Sequence, residues 1–246
     1  MSDTSGKMNE KTVSPDDVEV FVAGEEHIPY VEEILDTINR AAKVRGTGIA
    51  KRSPEYVSQK MRERKAVIAL SKEGEFAGFS YIESWSNKAF VANSGLIVAD
   101  KFRGIGLATR IKKRIFQLSR EMFPQAKIFS LTTGAAVMKM NFELGYRPVT
   151  FDELTDDAAF WKGCESCVNY DILQRNGGHK CLCTGLLYDP SEVKYHPENR
   201  FSGASSPDNE ESKQPGDTTP QKEGPTQEEL IQQLENLLAS WKNAKK

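Results

Sequence analysis

The chain has 246 residues, with 33 Lys and Arg against 35 Asp and Glu and a formal net charge of −2. A near-neutral chain of this length can bury one sizeable domain plus a smaller appendage, and it offers no general attraction to nucleic acid or to an anionic membrane. Residues 1–16 are polar and lack the apolar centre of a signal peptide, and no stretch approaches the ~20 apolar residues of a membrane span, so the chain reads as cytoplasmic with a disordered N-terminus.

From residue 17 onward apolar periodicity begins. Val18 to Val22 alternates as a strand, and Ile28, Val31, Ile34, Leu35, Ile38 and Ala42 then recur at helical spacing up to a stop near Gly46. Ser53-Pro54-Glu55 caps a second helix that runs to about Arg64. Ala66 to Leu70 and Phe76 to Ser84 form a hairpin across Lys72-Glu73-Gly74-Glu75, and a fourth strand runs from Phe90 to Val98. A helix from Leu107 to Arg120, a short strand Lys127 to Leu131, a helix Ala135 to Leu144 ending at Gly145, and a last strand Arg147 to Phe151 complete this part.

The most informative run is Leu96-Ile97-Val98, then Arg103-Gly104-Ile105-Gly106-Leu107-Ala108. A strand, a glycine turn and a helix start bring free backbone N–H groups and the positive end of a helix dipole to one spot, which suits a phosphate-bearing ligand. Between Lys101 and Arg120 the chain carries seven Lys or Arg and no Asp or Glu, which suits it further. The run lacks the third glycine of the dinucleotide fingerprint and the Gly-Lys-Ser/Thr of a Walker loop.

The spacing Arg103-x-x-Gly106-x-Ala108 after a strand resembles the acyl-CoA signature of the GNAT superfamily of N-acyltransferases. Asn141-Phe142-Glu143-Leu144-Gly145-Tyr146-Arg147-Pro148 is similar to that family's fourth-helix ending, and the element order over residues 17–151 is the family's order. The resemblance implies an α/β (α+β) fold with a mixed, mostly antiparallel central sheet flanked by helices. It also implies that Leu96, Ile97, Val98, Arg103, Gly104, Ile105, Gly106, Leu107 and Ala108 bind the coenzyme, acetyl-CoA being the usual donor. Two positions depart from the pattern: Asn141 stands where many members carry a tyrosine that protonates the leaving thiolate, and Gly134 where a coenzyme-binding asparagine is frequent. The whole chain is similar to a group of bacterial acetyltransferases associated with arginine-biosynthesis loci.

Acyl transfer to an amine requires a deprotonated amine and a polarised carbonyl in near-attack geometry. The fourth strand has no carboxylate, so Glu83 on its neighbour is the candidate base, with Asp152 and Glu153 behind it. Thr132 and Thr133 read as turn and cap residues. Lys43, Arg45, Lys51 and Arg52 stand where the family lines its acceptor side, and they suit a small amine bearing a carboxylate, such as glutamate. Two other functions fit the same residues: a non-catalytic coenzyme A-binding sensor or adaptor, and a protein-lysine acetyltransferase.

Residues 152–196 hold all four cysteines as Cys164-x-x-Cys167 and Cys181-x-Cys183, with Asn176-Gly177-Gly178 providing a turn between them. Four thiolates in this pattern suit a structural zinc ion; His179 is a possible substitute ligand, an iron–sulfur cluster the lesser choice, and free thiols the other alternative. Trp161, Tyr170, Ile172, Leu186 and Leu187 are expected to pack this knuckle against the catalytic domain. Residues 197–225 are rich in Ser, Pro, Gly and charge and read as a disordered linker. Residues 226–244 form an amphipathic helix whose Leu230, Ile231, Leu234, Leu237, Leu238 and Trp241 suit docking on the body, a partner protein or self-association, with no membrane role.

Overall fold

The computed structural model describes residues 13–45 and 52–192. Seven strands form one sheet: β1 (Val18–Val22), β2 (Ala66–Ser71), β3 (Phe76–Trp85), β4 (Phe90–Val98), β5 (Lys127–Thr132), β6 (Arg147–Val149) and β7 (Thr184–Tyr188). Their order is β1-β2-β3-β4-β5-β7-β6, and every pairing is antiparallel except β4 with β5. The helices are α1 (Val31–Arg45), α2 (Pro54–Arg62), α3 (Leu107–Met122), α4 (Ala135–Glu143), α5 (Ala158–Lys162) and α6 (Tyr170–Arg175). This is the expected mixed, mostly antiparallel sheet between helices.

Strand alternation explains the layering. In β2, Val67 and Ala69 face one core with Ile111 and Ile115 of α3, whereas Ala66 and Ile68 face the other with Ile34 of α1 and Met61 of α2. All eight side chains are buried, so both faces of the sheet are covered and β2 reads as a continuous apolar run. A third cluster joins Ala92, Phe129 and Leu187 from β4, β5 and β7 to Phe151, Leu154 and Leu173, with Trp161, Tyr170 and three cysteines at its margin. Leu173, not the expected Ile172, is the α6 side chain buried there.

Two elements differ from the sequence reading. The first helix begins at Val31, because Pro29 lies inside the preceding 3-10 segment Glu25–Tyr30 and has no N–H for the helical ladder. The sheet also continues past residue 151, where the sequence reading ended the acyltransferase domain. Leu186 and Leu187, expected to clamp a separate knuckle, instead lie in β7, which pairs with β5 on one side and β6 on the other. The cysteine segment is thus an excursion of the sheet's own chain between β6 and β7. The expected linker 197–225 and helix 226–244 lie outside the described residues. Among the described residues no helix is long and apolar enough to cross a membrane.

β7 is fastened by an ion pair. Asp189 directly follows it and meets Lys127 at the start of β5 at 2.8 Å, and it accepts hydrogen bonds from the Ser191 backbone and hydroxyl. Burial alone would raise this carboxyl, yet the bonds from Lys127 and Ser191 hold it down to about 2. A carboxylate with a depressed pKa stabilises the fold above its unfolded value near 4, and that stabilisation is lost as pH falls through 2. Asp189→Asn should therefore cost about 2 kcal/mol at pH 6 and progressively less toward pH 2. Urea unfolding at both pH values checks this, and an equal cost at both would remove the linkage.

Candidate active site

The sheet opens where β4 and β5 part. Their pairing is confined to Phe90–Ala92 against Lys127–Phe129, so the β5 side of β4 beyond Ala92 has no strand partner. On the β3 side, the register slips between Phe79 and Tyr81, with Phe79 opposite Ile97 and Tyr81 opposite Ser94. Ser80 thus faces the two residues Gly95 and Leu96 in a bulge that bends β4 away. Gly95 has φ +66°, and a Cβ there would stand 2.4 Å from the Tyr81 ring, so the bulge admits only glycine. The bulge carries Leu96, Ile97 and Val98 along the opening.

At the far end of β4 lies the glycine turn. Gly104 (φ +83°) and Gly106 (φ +76°) are left-handed, and a Cβ on either would meet nothing within 4 Å, so the turn faces open space as a ligand cradle must. Gly106 is the N-cap of α3 and supplies no side-chain cap, which leaves the first N–H groups of the helix, including those of Leu107 and Ala108, available to an anion. Leu107 itself is buried in the α3 core, so its contribution is its backbone; Ile105 packs at the margin of the same core.

The basic run around the cradle is less of a charge field than the sequence suggests. Lys101 pairs with Glu75 at 2.5 Å, Arg103 with Asp100 at 2.7 Å, and Arg114 with Glu121 at 3.2 Å. Arg103 Nε also donates to the Val98 carbonyl at 3.3 Å, and Arg110 donates to the carbonyls of Pro15 and Val18. Lys112 is buried, and desolvation lowers it to about 7. Its Nζ bonds Asn93 Oδ1, which also accepts from the Tyr146 hydroxyl, while Asn93 Nδ2 donates to Ser119. Three of the seven cations in the run are thus answered by carboxylates, whereas the first backbone N–H groups of α3 have no side-chain cap.

Glu83 lies on the other face. Tyr81, Glu83 and Trp85 project from one side of β3 by strand alternation, and Tyr56 of α2 packs edge-on against Tyr81. The buried Glu83 carboxylate accepts hydrogen bonds from the Tyr56 hydroxyl and, at 2.6 Å, from Ser94 Oγ of β4. The Arg52 guanidinium stands 3.9 Å from Glu83 Oε1 and donates from Nε to the Tyr81 hydroxyl at 2.5 Å. Burial, followed by the Glu83 charge, raises the Tyr56 hydroxyl, so Tyr56 remains a proton donor to the carboxylate at physiological pH. Lys60, over the Tyr56 ring at 4.9 Å, is lowered chiefly by burial.

Arg52, Tyr56, Glu83 and Ser94 line a cleft of about 620 Å³ between α2 and the cysteine segment, with Trp85, Phe160, Cys164, Cys167 and Cys183 on its other walls. Of the four expected acceptor-side cations, Arg52 lines this cleft. Lys43 is exposed and does not line it. The side chains of Arg45 and Lys51 lie outside the described residues. The fallback bases are engaged elsewhere: Asp152 meets His179 Nδ1 at 2.5 Å, and Glu153 pairs with Arg147 at 2.8 Å. Thr132 accepts from the Gly134 N–H, the expected turn role. Tyr56 and Ser94 complete the carboxylate's surroundings. Ser94 is visible in the sequence as one of two polar residues in β4, but nothing local marks Tyr56.

Asn141 is fully buried, and neither atom of its carboxamide has a protein partner among the described residues. The four cysteines are free thiols, and all four line a second, smaller cavity. Burial, then the neighbouring cysteines, pushes Cys164 up to about 11 and Cys183 up to about 12. The expected metal centre is not formed as the side chains stand: among the described residues no three His, Cys, Asp or Glu are gathered to hold an ion. His179, the substitute ligand, is exposed and paired with Asp152.

No family model matches the chain, and no curated protein matches it. Among solved structures, it is similar to N-acetylglutamate synthase from Neisseria gonorrhoeae, a complex with coenzyme A and N-acetylglutamate, at 17% identity and TM-score 0.49, over 70% of this chain and 35% of that one. It is also similar to a GNAT-family acetyltransferase from Listeria monocytogenes, at 13% identity and TM-score 0.48, over 70% of this chain and 94% of that one. A third is the phosphinothricin acetyltransferase of Sinorhizobium meliloti bound to acetyl-CoA, at 11% identity and TM-score 0.48, over 70% and 88%. The chain spans about a third of the length of the synthase.

Proposed function

We propose that the protein transfers an acetyl or other short acyl group from acyl-CoA to the amine of a small acceptor. The observation that carries this reading is the opening between β4 and β5, with an open glycine cradle at the N-terminus of α3 on one side and the Glu83 carboxylate in a cleft on the other. The cradle N–H groups from Gly104 to Ala108 would hold the pyrophosphate, and the free edge at Leu96–Val98 would direct an N–H to the thioester oxygen. Glu83 takes a proton from the acceptor ammonium, and the freed nitrogen forms the new bond to the carbonyl carbon. The C–S bond then breaks, the sulfur leaves as a thiolate, and the second proton of the nitrogen passes to that thiolate or to solvent, which leaves a neutral amide. With an ordinary thiol pKa of ~8.5, that leaving group needs no strong acid, which fits asparagine at position 141.

The acceptor that fits best is an amino acid, with glutamate the first to test. Arg52 and Glu83 give the cleft one cation and one anion about 4 Å apart, matching the carboxylate and ammonium of a zwitterion. Purified protein incubated with acetyl-CoA and each of the common amino acids, read by mass of the products, should yield one N-acetylated amino acid. Coenzyme binding with no product from any amino acid or polyamine would favour the sensor reading instead.

A further inference from the structure

We infer that Asn93 donates a hydrogen bond to the departing sulfur of the acyl donor, with Lys112 and Tyr146 as positioning residues behind it; this rests on the acyl-transfer reading above. Asn93 is the first residue of β4 beyond the stretch paired with β5, so it stands at the apex of the opening. Strand alternation turns it away from the face that carries Ser94 and Glu83, toward α3. There α3 presents one stripe: Ala108 at the cradle, Lys112 one turn on, and Ser119 two turns further. Lys112 and Ser119 both bond Asn93, so the stripe joins the cradle to the apex.

Hydrogen-bond chemistry fixes which way the Asn93 carboxamide points. Lys112 can only donate, and its Nζ lies 3.3 Å from Asn93 Oδ1, where the Tyr146 hydroxyl also donates at 3.3 Å. Ser119 gives its one hydroxyl hydrogen to the Ile115 carbonyl at 2.8 Å, so its oxygen accepts from Asn93 Nδ2 at 2.7 Å. The carboxamide nitrogen carries a second hydrogen, and that one has no acceptor among the described residues. Lys112, Ser119 and Tyr146 are buried whereas Asn93 is partly exposed, so the open hydrogen belongs to the member of the network that borders the opening.

Lys112 gives the network its sign. Its amine lies over the Tyr146 ring at 5.1 Å and has no carboxylate partner among the described residues. Burial without a counter-ion opposes folding, so stability gives no reason for a lysine here. An anion in the opening does. It would favour the ammonium form, which polarises Asn93 Oδ1 and makes Nδ2–H the stronger donor. Sulfur is the atom that lacks other help, since the free edge at Leu96–Val98 is aimed at the thioester oxygen and Asn141 has no proton to give. As the C–S bond breaks, its electron pair goes to sulfur, and Asn93 bonds the thiolate while keeping its own proton.

Coenzyme A carrying a labelled carbon beside the sulfur, bound to the full chain, reports its own thiol by NMR without interference from the cysteines. In wild type that thiol should ionise about one pH unit below free coenzyme A, and in Asn93→Asp and Lys112→Met it should not. In each variant kcat for amino-acid acetylation should fall at least about tenfold, with coenzyme A affinity kept within about threefold. Urea unfolding separates this from a structural role: Asn93→Asp gives the buried amine a counter-ion and Lys112→Met removes the amine, so both should be at least as stable as wild type. A thiol pKa unchanged by the substitutions, kcat within about threefold of wild type, or an activity loss that tracks a stability loss overturns the assignment. If one variant is insoluble the other decides; if both are, a wild-type thiol ionising at or above the free value overturns it. A wild-type chain that binds no coenzyme A overturns the acyl-transfer reading as well, whereas binding with variants that match wild type overturns this assignment alone.

Discussion

Replacing Glu83 by glutamine should lower kcat for acyl transfer by roughly 100- to 10,000-fold, the usual contribution of a positioned general base. The carboxamide keeps the size of the side chain and one oxygen to accept from Tyr56 or Ser94, so the cleft should retain its shape. It cannot accept the ammonium proton. Coenzyme A affinity, measured by calorimetric titration, should stay within about twofold, because the cradle lies at the other end of β4. Tyr56→Phe should give a smaller loss, since it removes the hydroxyl that donates to the carboxylate and keeps the ring that packs against Tyr81. A fall in kcat of less than about threefold in Glu83→Gln would remove Glu83 as the base.

Gly106→Val should weaken coenzyme A binding by more than about 100-fold, corresponding to more than about 2.7 kcal/mol. Two effects combine. A β-branched residue at φ +76° is strained in the left-handed region, and its side chain occupies the open space that the cradle offers. Gly106→Ala separates them, because one methyl group carries most of the backbone strain and little of the bulk. It should bind more weakly than wild type but more tightly than Gly106→Val. Unchanged affinity in the valine variant, with the fold intact by circular dichroism, would sink the cradle.

The parts of this molecule legible in the sequence are those fixed by neighbours in the chain. α3 begins after the glycine turn and shows its apolar stripe through Ile111, Ile115 and Leu118; β2 and β3 follow from a β-branched and aromatic run on each side of a Lys-Glu-Gly-Glu turn. The site's partners were harder to see. Tyr56 and Glu83 are 27 residues apart and meet only because α2 crosses the face of β3 that carries Tyr81, Glu83 and Trp85. The basic run near the cradle reads as an anion field when charges are counted, yet Glu75, Asp100 and Glu121 answer three of its cations.

β7 escaped for a different reason. Five residues beginning Thr-Gly carry little strand signal, and its neighbours β5 and β6 lie far from it along the chain. Its place in the sheet imposes an order on synthesis. A ribosome that has released only the first 151 residues presents β5 and β6 with no strand between them, two open backbone edges of the kind that recruit other nascent chains. Those edges close only after the whole cysteine excursion and residues 184–188 have emerged, so the last strand added to the sheet is an internal one.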